Sequence, residues 1–186
     1  MSVTVLIILV AACFVFFVIE RLGVPTTLEL HFKGDIKRES RWLAQYGQSV
    51  CTPVAALLVW QLDPDPKLKP IMVIAAVLAT SIACMLLKRL LGRVRPGREN
   101  AGRFLGPSLR HANYRESFPS SHSACAVALS ASLAYLYPHG AVTFWALGVT
   151  CALLRYLLDA HWPSDVLGGS ALGYAIAHAV IMLFPH

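Results

Sequence analysis

The chain has 186 residues, 56% of them hydrophobic and only 14% charged, with a net charge of +6. A soluble domain carries about a quarter of its residues charged, so this composition marks a membrane protein and leaves no room for a second, water-soluble domain. The positive balance suits anionic head groups or anionic substrates. It argues against nucleic acid as a partner, because no soluble basic module remains to bind it.

A spanning helix needs about 20 mostly apolar residues. Six segments meet or approach that length, at about 3–19, 43–62, 70–87, 119–137, 141–158 and 163–184. The expected fold is all-α: one domain, 1–186, built as a polytopic bundle of six transmembrane helices with a catalytic core at about 70–184. The first segment lacks the basic start of a signal peptide and reads as an uncleaved helix. Residues 20–42 are polar and charged, with Trp42 and Tyr46 near the end, as in an interfacial segment. The second segment is the weakest, diluted by Gln45, Gln48 and Gln61 and interrupted by Pro53. Short turns at 63–66 and 138–140 join neighbouring helices.

Small residues recur every four positions at Ala124, Ala128 and Ser132, and again at Gly169, Gly173 and Ala177. That spacing lets helix backbones approach closely in lipid. The cysteines, Cys13, Cys51, Cys84, Cys125 and Cys151, fall in apolar runs without metal-ligand or disulfide spacing and read as small apolar residues.

Alternation of six helices brings three polar stretches to one side of the membrane and both termini to the other. In the first stretch, Lys88 supplies a point charge and Arg95 a planar fork for phosphate oxygens. Pro96 disfavours a helical Arg95 and turns the chain. A basic juxtamembrane cluster touching anionic lipid, shared with Arg89, Arg93 and Arg98, explains the same residues.

The second stretch is Pro119-Ser120-Ser121-His122. Proline in a first helical turn would leave the amides of Ser120, Ser121 and His122 unpaired, as an anion site. His122 could protonate a leaving oxygen there. The bland alternative is a capped helix start with an interfacial histidine.

In the third stretch Arg155 closes one helix, and His161 and Asp165 flank the start of the next. A carboxylate accepting from one imidazole nitrogen frees the other nitrogen to attack. An interfacial His–Asp hydrogen bond with a helix-capping aspartate is the alternative.

Together, Lys88-x6-Arg95-Pro96, Pro119-Ser120-Ser121-His122 and Arg155-x5-His161-x3-Asp165 resemble the type 2 phosphatidic acid phosphatase superfamily, which includes vanadium haloperoxidases and bacterial acid phosphatases. The resemblance covers the third to the sixth helix. It implies that Lys88, Arg95 and Arg155 bind phosphate with Ser120 and the Ser121 amide. By the same resemblance His161 becomes phosphorylated, Asp165 orients it, and His122 is the general acid. Two positions depart: Ser121 stands where the family has glycine, and Leu154 where it has serine. Serine keeps the backbone N–H, provided no positive φ is required.

The resulting expectation is a membrane enzyme hydrolysing a lipid phosphomonoester or diphosphate, without metal or cofactor, three fixed cations standing in for Mg²⁺. The candidate substrates are phosphatidate, phosphatidylglycerophosphate, isoprenyl diphosphates and lipid A phosphates. A phosphotransferase using the same histidine and a non-catalytic anion carrier are the rivals. The expected location is a bacterial plasma membrane. Fourteen Lys and Arg lie on the motif side against Lys67 and Lys69 opposite, which by the positive-inside rule would face the site to the cytoplasm. The resemblance implies an outward-facing site. Of the other histidines, His178 is too far along its helix to act, His139 and His186 fall on the far side, and His31 and His111 are rim candidates.

Overall fold

The computed structural model describes residues 2–27, 34–48, 50–110, 112–158 and 161–184, with backbone alone at 36 and 37. His31, His111 and His186 lie outside the described residues. Among those described there are seven α-helices: α1 (Val3–Arg21), α2 (Gly34–Leu43), α3 (Cys51–Leu62), α4 (Lys69–Leu91), α5 (Ser121–Leu136), α6 (Ala141–Leu157) and α7 (Pro163–Leu183). No strand occurs among them; Arg93 and Phe104 form an isolated antiparallel bridge.

The bundle is organised around α5. Every residue from Ser123 to Leu133 is buried, so this helix faces α4, α6 and α7 rather than lipid. Its Ala/Ser composition is what permits that enclosure, since small side chains let neighbours close in from all sides. The closest approach is to α7, where a Cβ added to Gly173 would collide with the carbonyl of Ala124. Both small-residue rows seen in the sequence therefore meet across this contact. At the opposite extreme, α1 buries no residue and packs mainly on α7.

Four helical segments are long and apolar enough to cross a membrane: Val3–Arg21, Lys69–Leu91, Pro138–Leu157 and Pro163–Leu183. The expected second and fourth spans are shorter than the sequence suggests. α3 keeps 12 residues and α5 keeps 16. Residues 44–48 form turns instead of helix, because this loop folds over the start of α5. Gly47 lies against the carbonyl of His122, where no side chain fits. The 16-residue α5 needs no lipid-length apolar surface, since its sides are covered by protein.

The far end of the bundle is stapled by polar contacts. Asp63 accepts from Lys69 Nζ and from the Tyr137 hydroxyl, each at 2.8 Å, and the Ser2 amide donates to the Tyr174 hydroxyl at 3.2 Å. At the other end lie the last turns of α1, α4 and α6, the first turns of α5 and α7, and the long loop 92–120.

Candidate active site

All three polar stretches meet at that second end. Lys88 and Arg89 occupy the last turn of α4 and Arg155 the last turn of α6, where cations complement the exposed carbonyls of a helix C-terminus. Gly92 then ends α4 in a left-handed conformation. The following loop is strapped by backbone hydrogen bonds, Val94 N–H to Arg103 at 2.9 Å and Arg95 N–H to Tyr114 at 2.8 Å. These hold Arg95 beside the bundle, its Nε donating to the Asn113 carbonyl at 2.8 Å.

The start of α5 differs from the sequence expectation in one detail. Ser120, not Pro119, borders the helix: its backbone is extended (φ −71°, ψ 107°) and Ser121 is the first helical residue. The Ser120 amide is consumed by the Asp165 carbonyl at 2.9 Å, and its hydroxyl accepts from Ser123 Oγ at 2.9 Å. The amides without an intrahelical acceptor at this helix start thus belong to Ser121, His122 and Ser123, the first helical bond being Ala124 N–H to Ser120. Ser121 is not among the residues with positive φ, so serine replaces the family's glycine without backbone strain. Leu154 is buried in α6.

Lys88, Arg95, Arg155 and His161 all lie within electrostatic reach of His122. The side-chain amide of Gln48 donates to His122 Nε2. A turn of that amide would present its oxygen to a protonated ring, so one partner suits both charge states.

Asp165 is wholly buried and its two oxygens have different partners. Oδ1 accepts from Arg93 Nη1 at 2.6 Å. Oδ2 accepts from Ser117 Oγ at 2.5 Å and from the Trp162 amide at 3.0 Å. The last contact is half of a capping box that starts α7, so Asp165 also caps the helix. His161 Nδ1 stands 3.6 Å from Oδ2, an ion-pair distance slightly longer than the expected hydrogen bond, and shares that oxygen with Ser117 and Trp162. His161 is 1% exposed. Burial holds its imidazole well below the usual range, at about 4, against the opposing pull of Asp165. His161 Nδ1 and Arg155 Nε are both buried without a hydrogen-bond partner.

A groove of about 570 Å³ opens beside this cluster. It is lined at one end by Lys88, Arg95, Ser121 and His122 and at the other by apolar residues of α3 and α4, including Pro53, Ile74 and Leu78. Four of the eight expected site residues therefore border the groove. Ser120, Arg155, His161 and Asp165 do not line it. Among the remaining histidines, His139 sits at the far end, and His178 Nδ1 lies 2.8 Å from the Tyr174 carbonyl within α7.

Besides Ser117, sequence reasoning missed two residues. Arg93, 2% exposed, is sandwiched among Phe17, Phe104 and Trp162 with its guanidinium 5.4–5.8 Å from each ring centroid. It links Asp165 to Glu20, whose Oε2 accepts from Arg93 Nη2 at 2.6 Å. The detectable signal was a carboxylate in the last turn of an apolar helix, a position the helix dipole disfavours.

A lipid A 1-phosphatase of Rhizobium etli is 39% identical over 99 residues, which cover 52% of this chain and 42% of that protein. A putative undecaprenyl-diphosphatase of Escherichia coli is 30% identical over 125 residues, 65% of this chain and 60% of that protein. The chain thus spans about two fifths of the length of the lipid A 1-phosphatase and three fifths of the second relative. A transmembrane PAP2 type phosphatidylglycerolphosphate phosphatase from Bacillus subtilis shares the fold, with a TM-score of 0.54 at 16% identity, over 97% of this chain and 94% of that one. The PAP2 superfamily model matches residues 69–186, from the first residue of α4 onward and through every motif described above, and the chain belongs to that superfamily.

Proposed function

We propose that this protein is a membrane lipid phosphatase that hydrolyses a lipid phosphomonoester or diphosphate through a phosphohistidine at His161, without a metal ion. The observation that carries it is the groove: it joins fixed cations and a helix N-terminus to an apolar channel between α3 and α4. A phosphate on a lipid anchor matches both ends. A free anion would use only one, which disfavours the carrier reading.

Lys88, Arg95 and Arg155 would neutralise the phosphoryl oxygens with the Ser121 amide, the positioning and charge compensation that dominate phosphoryl transfer. Neutral His161 attacks phosphorus while His122 gives a proton to the leaving oxygen. Water then releases the phosphate. Near-attack geometry requires about 3–3.5 Å between the reacting atoms, so substrate entry must uncover His161. Asp165 carries the negative charge that steadies the resulting cation.

The proposed substrates are those whose relatives' names match the chemistry, lipid A phosphates and isoprenyl diphosphates, with phosphatidate and phosphatidylglycerophosphate beside them. The proposed topology keeps six crossings in a bacterial plasma membrane: α3 rises about 18 Å and α5 about 24 Å, and the flanking turns complete their paths. The site is proposed to face away from the cytoplasm. Leu109, 93% exposed, is the reporter: Leu109→Cys should react with a membrane-impermeant maleimide in intact cells, and protection until lysis would reverse the orientation.

The activity test is phosphate release in EDTA from a panel of lipid phosphates and diphosphates, comparing wild type with His161→Ala. The proposal expects metal-independent release that the variant lacks. No release by a folded wild type, or phosphate passed to a second lipid instead of water, would overturn it.

A further inference from the structure

α1 is apolar along its length and buries no residue, yet the side chain of Glu20 in its last turn is only 3% exposed. A buried carboxylate is costly and here also opposes the helix dipole. It is compensated by a specific set of donors. Oε2 accepts from Arg93 Nη2 at 2.6 Å and from Ser164 Oγ at 2.5 Å, and Oε1 from the Ser164 amide at 3.1 Å. The other edge of the same guanidinium serves Asp165 at 2.6 Å. Two carboxylates thus share one arginine, leaving the buried trio with one net negative charge.

We infer that Glu20 is a positioning residue for the chemistry at His161: by engaging Arg93 it leaves the charge of Asp165 available to the histidine. The inference rests on the phosphohistidine reading. In that step His161 Nε2 bonds to phosphorus and the phosphorus–oxygen bond to the leaving group breaks. Its electron pair goes to the leaving oxygen, which takes a proton from His122. The ring keeps its Nδ1 hydrogen and becomes a cation. Arg93 and Asp165 alone form a neutral pair with little to offer that cation; Glu20 restores the missing negative charge. A simple fastener between α1 and α7 would explain the contacts but not the charge balance.

The two explanations separate in kinetics. His161 also faces Arg95 from the loop, Arg155 from α6 and His122 from α5, all unchanged in the variants. Purified full-length protein in detergent is assayed on dioctanoyl phosphatidate and farnesyl diphosphate. Glu20→Gln should lower kcat about ten- to a hundredfold, as loss of one nearby charge does in a low-dielectric site. KM should hold, and the acid limb of kcat/KM should move to lower pH. Glu20→Asp should keep the wild-type limb. Glu20→Gln combined with Arg93→Gln restores one net negative charge and should recover part of the lost kcat. That double variant also carries the test if Glu20→Gln alone melts. An unmoved acid limb in Glu20→Gln, or losses that simply add in the double variant, would overturn the inference while leaving the phosphatase reading intact. Failure of wild type on both lipids would count against that reading itself.

Discussion

Replacing Asp165 with asparagine removes one negative charge at a fully buried position and changes the shape of the site very little. The amide nitrogen must take one of two places. Facing Arg93 Nη1, it would set donor against donor across the 2.6 Å contact and leave buried donors unsatisfied at about 1–3 kcal/mol each, whereas the lost charge is common to both orientations and Arg93 keeps its ion pair with Glu20 in either. Facing Ser117 and Trp162, it loses the capping bond from the Trp162 amide while the serine hydroxyl can turn to accept, at a cost of about 1–2 kcal/mol. The second orientation wins, so the variant should fold with a modest fall in thermal midpoint.

Catalysis should suffer more. With the carboxylate 3.6 Å from His161, its attraction for a cation there is about 4–5 kcal/mol at an effective dielectric near 20. That corresponds to about three orders of magnitude in rate. Phosphate release measured beside thermal unfolding checks both numbers. A folded Asp165→Asn protein within about tenfold of wild type would refute the electrostatic role of Asp165.

Three further predictions rest on the same geometry. Because burial holds His161 near 4, its nucleophilic neutral form persists below pH 6, and the acid limb it contributes to kcat/KM should fall near pH 4; a limb at 6.5 would contradict the burial. The unfolded chain binds this proton at about 6.5, so the His161 contribution to stability is complete above that pH and is lost as pH falls toward 4, which thermal midpoints across this range would reveal. Gly173→Ala places a methyl against the Ala124 carbonyl and should destabilise the α5–α7 contact by about 1–3 kcal/mol, measured by unfolding in detergent; an unchanged midpoint would mean the helices are not packed that closely.

Much of this site was legible because its parts sit at helix boundaries, where proline, serine and a change from apolar to charged residues are visible in one sequence. Lys88, Arg155 and Asp165 fall in the helix ends expected of them, and the two small-residue rows do meet. Helix lengths were less legible. Gln45 and Gln48 diluted the second apolar run, but nothing local revealed that this loop folds over His122. The His161–Asp165 spacing suggested a direct hydrogen bond, whereas Ser117, 48 residues upstream, and the Trp162 amide share the same oxygen. Arg93 was indistinguishable from its basic neighbours, and its partner Glu20 lies 73 residues away. Such pairings depend on tertiary packing, which spacing along one helix cannot encode.

The central claim is that a histidine of this chain carries the phosphoryl group. The most direct measurement mixes wild-type protein with a lipid labelled at its terminal phosphate, quenches within milliseconds in alkali, and maps the label by mass spectrometry. The account predicts an acid-labile, alkali-stable phosphoryl group on His161 that forms before phosphate is released and is absent from His161→Ala. Phosphate release at full rate with no label on His161, or with the label on another residue, would contradict it.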